Sequence, residues 1–260
     1  MTVVPKKALG QHFLVDENLL GVIGRLAALD PGDVVLEVGP GLGVLTRYLS
    51  DRVALVHAAE LDRSLEPGLA AALAGRDNVE LVFGDALRVD LASLRPAPRK
   101  LVANLPYNIA TPLIVESLVG ANALELWCVM VQREVAERLF AQPSTKAYGA
   151  VSVLVRLTAH RTGFHPVSRT VFRPPPNVDS ALVAFRRIEA PRNLLDVRVV
   201  VEGAFSHRRK TLANALQLAG VADRSRAVDA LRAIGRSADI RAEALEPSDF
   251  VVLTDALVDR

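Results

Sequence analysis

Three short stretches of this 260-residue chain carry residue types that together could hold a nucleotide. Gly39-Pro-Gly-Leu-Gly43 lies between an apolar run and a helical one, and glycines in such a turn let the backbone come close to a ligand near the start of the helix. Its spacing is G-x-G-x-G, not the G-x-G-x-x-G of dinucleotide sites. Glu60, 21 residues after Gly39, and its neighbour Asp62 close the next apolar run, where carboxylates can accept hydrogen bonds from ribose hydroxyls. Asp85, in Gly84-Asp-Ala86, ends a third run and can accept from an adenine amine. The plain alternatives are a tight turn, a solvated acid pair and a helix-capping aspartate. As it stands, the set fits either a nicotinamide dinucleotide or S-adenosyl-L-methionine.

A fourth run ends in Asn104-Leu105-Pro106-Tyr107. This tetrapeptide resembles the N-[LP]-P-[YF] motif of methyltransferases that act on planar exocyclic amines. An adenine amine conjugates its lone pair into the ring and is a poor nucleophile. An Asn oxygen and a backbone carbonyl, each accepting one of its hydrogens, favour a geometry in which the lone pair points at an electrophilic methyl. Pro106 stiffens the turn by fixing φ. Tyr107 can stack on a flipped base, as base-modifying enzymes require.

These residues need elements to position them. Apolar runs at residues 34–38, 54–59, 79–83, 100–103 and 124–131 read as strands, and the spacing at 16–29, 44–50, 64–74 and 111–119 reads as helices. Alternation at this pace predicts an α/β fold with a mostly parallel sheet covered on both sides. After residues 133–141, the Pro-rich stretch from Phe172 and the run 180–185 predict two further strands, an antiparallel edge on that sheet. Beyond Pro191, helices at 197–205, 211–219, 225–234 and 249–257 predict a small C-terminal helical domain. The expected division is therefore 1–190 and 191–260.

Gln11-His-Phe-Leu14, Glu37-Val-Gly-Pro-Gly-Leu-Gly43, Glu60-Leu-Asp62, Gly84-Asp-Ala86, Asn104-Leu-Pro-Tyr-Asn108, Lys146-Ala-Tyr-Gly149, Phe172-Arg-Pro-Pro-Pro-Asn-Val-Asp-Ser180 and Phe205-Ser-His-Arg-Arg-Lys-Thr211 follow one another along nearly the whole chain. As an ordered set they are similar to the ribosomal RNA adenine dimethyltransferases. The resemblance implies a Rossmann-like class I methyltransferase sheet, S-adenosyl-L-methionine as methyl donor, and dimethylation of two adjacent adenosines in a hairpin loop near the 3′ end of small-subunit rRNA within a pre-30S particle. The erythromycin-resistance methylases, which modify a large-subunit adenosine, share the core and form the alternative. Lys146-Ala-Tyr-Gly149 and the Arg-Arg-Lys-Thr run look more like the small-subunit enzyme.

Carried over residue by residue, the resemblance puts His12 and Leu14 beside the cofactor, Gly39 and Gly41 against its methionine part, Glu60 on the ribose, and Asp85 with Ala86 at its adenine. Asn104, which would also border the cofactor, would grip the target amine with Leu105 and Pro106, with Tyr107 on one face of the base and Phe172 on the other. The chain departs from the family in having His12 where Asn is common and Leu9 where an aromatic is common.

Charge supports a polyanionic partner. The net charge is only +2, but residues 156–210 hold 11 Lys and Arg against 4 Asp and Glu. Arg208, Arg209 and Lys210 close that segment as candidate rRNA phosphate contacts, though basic residues also favour a helix end. Lys6 and Lys7 could touch RNA or simply keep a terminus soluble. No apolar run approaches the roughly 18 residues of a membrane span, and the start lacks an apolar signal core. A cytoplasmic monomer is expected. Cys128, the single cysteine, reads as a buried thiol, and Trp127 and Met130 as core. A nicotinamide-dependent dehydrogenase and a ribosome assembly factor whose methylation is secondary are the competing classes.

Overall fold

In the computed structural model the described residues are 5–6, 10–90 and 93–258; Lys7 and Leu9 lie outside them. The chain divides into two units, Met1–Ala136 with Arg161–Arg187, and Glu137–His160 with Ile188–Arg260. In chain order the elements are β1 (Phe13–Leu14), α1 (Glu17–Leu26), β2 (Val34–Val38), α2 (Val44–Ser50), β3 (Leu55–Glu60), α3 (Glu66–Ala72), β4 (Val79–Phe83), β5 (Lys100–Asn104), α4 (Ala110–Gly120), β6 (Leu126–Gln132), α5 (Arg133–Leu139), α6 (Ala150–Thr158), β7 (Ala159–Val167), β8 (Phe172–Arg173), β9 (Ser180–Arg187), α7 (Leu194–Phe205), α8 (Leu212–Leu218), α9 (Arg224–Ala233) and α10 (Pro247–Val258).

Seven strands make one sheet in the order β4-β3-β2-β5-β6-β9-β7. The five from β4 to β6 run parallel, and β9 is antiparallel to β6. Strands with helices on both faces are buried on both sides, and so β2 to β6 read as Val- and Leu-rich apolar runs broken only by single polar residues such as Glu37 and His57. On one face Ile23 of α1 and Leu49 of α2 join Val56, Val102, Cys128 and Leu182 in a single apolar cluster. On the other, Trp127 of β6 stacks on Phe185 of β9, ring centroids 5.3 Å apart, and donates its indole N–H to Ser117 Oγ of α4 at 2.9 Å.

Arg187, the last residue of β9, holds this frame together. Its guanidinium donates to the carbonyls of Leu124, Leu118 and Ala121 at 2.6, 2.8 and 3.0 Å and lies 5.0 Å over the Trp127 ring. Leu118 is in the last turn of α4, where carbonyls have no intrahelical partner, and Ala121 and Leu124 lie in the loop that joins α4 to β6.

The five expected strands up to residue 131 and the run at 180–185 all occur, shifted by a residue or two. Helix α6 and strand β7 are additions that the sequence reading did not assign. A second addition is the antiparallel ribbon of β1 with β8, Phe13 opposite Arg173 and Leu14 opposite Phe172.

In the second unit α6 packs with α7 and α10, and α7, α8, α9 and α10 pack on one another. The expected break after residue 190 leaves out Glu137–His160, which the structure puts in this helical unit. The physical reason is Tyr148: it is fully buried, donates its hydroxyl to Leu245 O at 2.8 Å and meets Phe205 edge-on at 5.9 Å. Among the described residues no helix is long and apolar enough to cross a membrane.

Candidate active site

A cavity of about 280 Å³ opens where β2, β3, β4 and β5 end, entirely within the first unit. That is near the lower bound for small-molecule sites. Its lining includes His12, Leu14, Gly39, Gly41, Glu60, Asp85, Ala86, Asn104, Leu105, Pro106 and Tyr107. The structure thus brings together residues drawn from five separate stretches. Consecutive parallel strands deliver their following loops to one edge, the usual ligand edge of such sheets.

On the glycine side, Gly39 and Gly41 both have positive φ, +75° and +59°. A Cβ on Gly41 would sit 2.9 Å from the Phe13 ring, and one on Gly39 would sit 3.1 Å from Pro106. These two glycines are therefore required by close packing as well as by turn geometry. Glu60 accepts the Gly41 N–H at 3.2 Å on Oε2 and the Asp62 N–H at 2.8 Å on Oε1. Each oxygen keeps a lone pair for a ligand hydroxyl. Burial raises the Glu60 pKa, while these backbone donors work against the rise.

Asp62 behaves differently. Its carboxylate accepts from Lys6 Nζ at 2.6 Å, Gln11 Nε2 at 2.9 Å and Ser64 Oγ at 2.6 Å. Burial works to raise its pKa, but these donors hold it well below the usual carboxylate range. It does not line the cavity, so of the two acids considered for a ribose only Glu60 is placed for one. Lys6, expected to meet RNA or solvent, has a half-exposed side chain whose ammonium pairs with Asp62.

Beneath them Glu37 is 1% exposed. Burial pushes its pKa up to about 8, the Thr46 hydroxyl opposing and the Glu60 charge adding. Among the described residues Glu37 Oε2 lacks a hydrogen bond of good geometry, as does Thr46 Oγ1. Asp85 lines the cavity, and its Oδ1 also accepts the Leu87 N–H at 3.0 Å in a turn, the plain alternative considered for it.

On the Asn104 side, Asn104 Nδ2 donates to the His12 carbonyl at 3.0 Å. His12 Nδ1 lies 2.8 Å from Pro174 O, and a carbonyl only accepts, so this nitrogen carries the hydrogen. The His12 and Tyr107 rings are 5.5 Å apart. Burial raises the Tyr107 pKa, its bond to Ser180 opposing.

Phe172 is a correction. It is fully buried in the apolar cluster with Leu14 and Ile23 and does not line the cavity. Pairing of β8 with β1 turns its ring into the core, where it has no face left for a base. Ser180, Gln11 and the exposed apolar pair Leu42 and Leu61 were missed. The last two had a readable signal, since each is an apolar residue directly after a glycine or an acid at a strand's carboxyl edge.

Arg208, Arg209 and Lys210 are in the second unit, exposed in the turn between α7 and α8. Arg208 donates to Lys146 O at 3.3 Å.

A family model described as ribosomal RNA adenine dimethylase matches residues 4–248. The chain is 48% identical over 250 residues to a protein named ribosomal RNA small subunit methyltransferase A from Rubrobacter xylanophilus, covering 96% of this chain and 94% of that one. Among solved structures it resembles a dimethyladenosine transferase from Plasmodium falciparum, with TM-score 0.78, 25% identity and coverage of 93% and 96%. It also resembles the 23S rRNA methyltransferase ErmE, with TM-score 0.67, 30% identity and coverage of 95% and 100%. The fold is that of the class I methyltransferases.

Proposed function

The chain belongs to the ribosomal RNA adenine dimethylase family, and from that premise we propose small-subunit rRNA as its target. The product is N6,N6-dimethyladenosine at two adjacent adenosines in the hairpin loop near the 3′ end. The observation that carries the adenine-amine chemistry is the Asn104 side chain on the cavity wall. Its Nδ2 is committed to the His12 carbonyl, so Oδ1 is left to accept a hydrogen from an exocyclic amine.

The family draws its methyl group from S-adenosyl-L-methionine, which when bound supplies a sulfonium methyl with a neutral thioether leaving group. The donor set fits that molecule: two close-packed glycines, lone pairs on Glu60 for ribose hydroxyls, and Asp85 for an adenine amine. Asn104 Oδ1 and the backbone at Leu105 and Pro106 hold the target amine so that its lone pair faces the methyl. Tyr107 stacks on the base. Holding reactants in such a geometry can supply up to roughly 7–11 kcal/mol, and no side-chain base is required because the alkylated amine is acidic enough to lose its proton to water. A second transfer needs room for one methyl beside Asn104.

Arg208, Arg209 and Lys210 provide phosphate contacts, and the substrate is the pre-30S particle, met in the cytoplasm by a monomer. The large-subunit alternative has less behind it, since identity is 48% to the small-subunit relative and 30% to ErmE. The test is transfer of labelled methyl to under-methylated small-subunit particles and, in parallel, to large-subunit rRNA, with products mapped by mass spectrometry. Dimethyladenosine at an adjacent pair in the small-subunit RNA is expected. Label in the large-subunit RNA alone would move the protein to the resistance-methylase branch, and label in neither would return the dehydrogenase and assembly-factor readings.

A further inference from the structure

The segment that opens with the buried Phe172 ends at Ser180, and both of its ends are tied to the Asn104-Leu-Pro-Tyr107 turn. At the first end, β8 pairs with β1 and Pro174 O accepts from His12 Nδ1 at 2.8 Å. Two anchors therefore fix the peptide whose carbonyl receives Asn104 Nδ2. At the far end Ser180, fully buried and set opposite Gln132 of β6 by the sheet register, lies with its Oγ 2.5 Å from the Tyr107 hydroxyl.

We propose that Phe172–Ser180 is a positioning frame for methyl transfer, in which Ser180 fixes where the Tyr107 ring lies against the target base and His12, itself tied to Pro174, backs its face. This rests on the reading that Asn104 and Tyr107 hold that base. A tyrosine fixed only at its Cα swings about two soft torsions. Gripping the hydroxyl, at the opposite end of the side chain, stops the swing about χ1; that oxygen lies on the χ2 axis, so rotation of the ring plane is limited by the His12 ring packed 5.5 Å away. Ser180 is a positioning residue: it does not line the cavity and acts only through Tyr107. The frame also gives the Pro-rich segment a task that its buried phenylalanine does not perform.

The test uses the full chain and under-methylated small-subunit particles, with Ser180→Ala, Tyr107→Phe and the double variant. Because small misplacements of reacting groups are costly, each single variant should lower kcat for dimethyladenosine formation about 10-fold. The dissociation constant for S-adenosyl-L-methionine should stay within about 2-fold, and the double variant should be no slower than either single one, since both remove the same bond. Tyr107→Phe removes one oxygen and keeps the ring, so it carries the test where Ser180→Ala does not fold. Unchanged kcat in the single variants would overturn the proposal. So would losses that multiply in the double variant, or a fall in kcat matched by an equal loss of cofactor affinity. A wild-type chain that makes no dimethyladenosine on these particles overturns the underlying reading and the frame with it, which separates the two failures.

Discussion

The two sides of the cavity are built in opposite ways. On the glycine side each group stands at or just after the end of its own strand, and Glu60 is held by Gly41 and Asp62, 19 and 2 residues away. On the Asn104 side the holding contacts span 92, 162 and 73 residues. Strand order alone therefore places Gly39, Gly41, Glu60 and Asp85, whereas Asn104, His12 and Tyr107 are held only after distant segments close on them, which costs loop entropy. Cofactor affinity should thus depend on the parallel sheet, and the transfer rate on the β1 and β8 ribbon and its neighbours.

The sharpest break of this comparison is Asn104→Ala, which removes the acceptor proposed for the target amine. By analogy with loss of one transition-state hydrogen-bonding group, it should slow single-turnover methylation about 10²–10³-fold. Cofactor affinity by calorimetry should stay nearly constant, and unchanged turnover would remove Asn104 from its role. Next in size is Arg187→Ala, aimed at the frame that both sides share. Losing a cation hydrogen-bonded to three carbonyls should cost about 3 kcal/mol in urea unfolding, with affinity and rate of the folded fraction little changed. Glu60→Gln comes third and tests the glycine side alone: cofactor affinity should weaken about 10–30-fold while kcat at saturating cofactor holds. A matching fall in kcat would erase the distinction between the two sides.

A further effect, read from pH, concerns Glu37. The fold keeps this acid protonated up to about pH 8, whereas its ordinary pKa is 4.5. The unfolded chain therefore binds fewer protons between those values. The stabilising contribution is complete below 4.5 and is lost as pH rises through about 8, with a slope of up to about 1.4 kcal/mol per pH unit. Urea unfolding from pH 5 to 9 should show that slope in the native chain and a flatter one in Glu37→Gln.

The same contrast decides what was legible in the sequence. Strands β2 to β5 are short apolar runs closed by Gly, Glu or Asn, so both the sheet and the residues at its edge could be read. Helix α6 could not, because Ala150-Val-Ser-Val-Leu-Val-Arg-Leu-Thr158 is rich in β-branched residues and passes into β7 without a Gly or Pro at the junction. The exposed, polar pattern of β7 is that of a strand at the sheet edge and lacks the hydrophobic run of its neighbours. Strand β8 has two residues, too few to show a period, and nothing local indicates that its Phe172 turns into the core. The bond from Ser180 to Tyr107 lies beyond any motif, since it joins the first residue of one strand to a loop 73 residues earlier.

Cys128 turns the sheet into its own reporter. It is the chain's only cysteine, it sits fully buried on β6 between β5 and β9, and burial pushes its thiol up to about 12. Alkylating reagents attack the thiolate, so labelling at neutral pH must wait until the central strands separate. The labelling rate is then a clock for global opening that needs no engineered probe. Because a ligand that binds only the folded state stabilises it by mass action, S-adenosyl-L-methionine should slow that clock in proportion to its occupancy. Thiol protection would thus become a binding isotherm read from the far side of the sheet's hydrogen bonds.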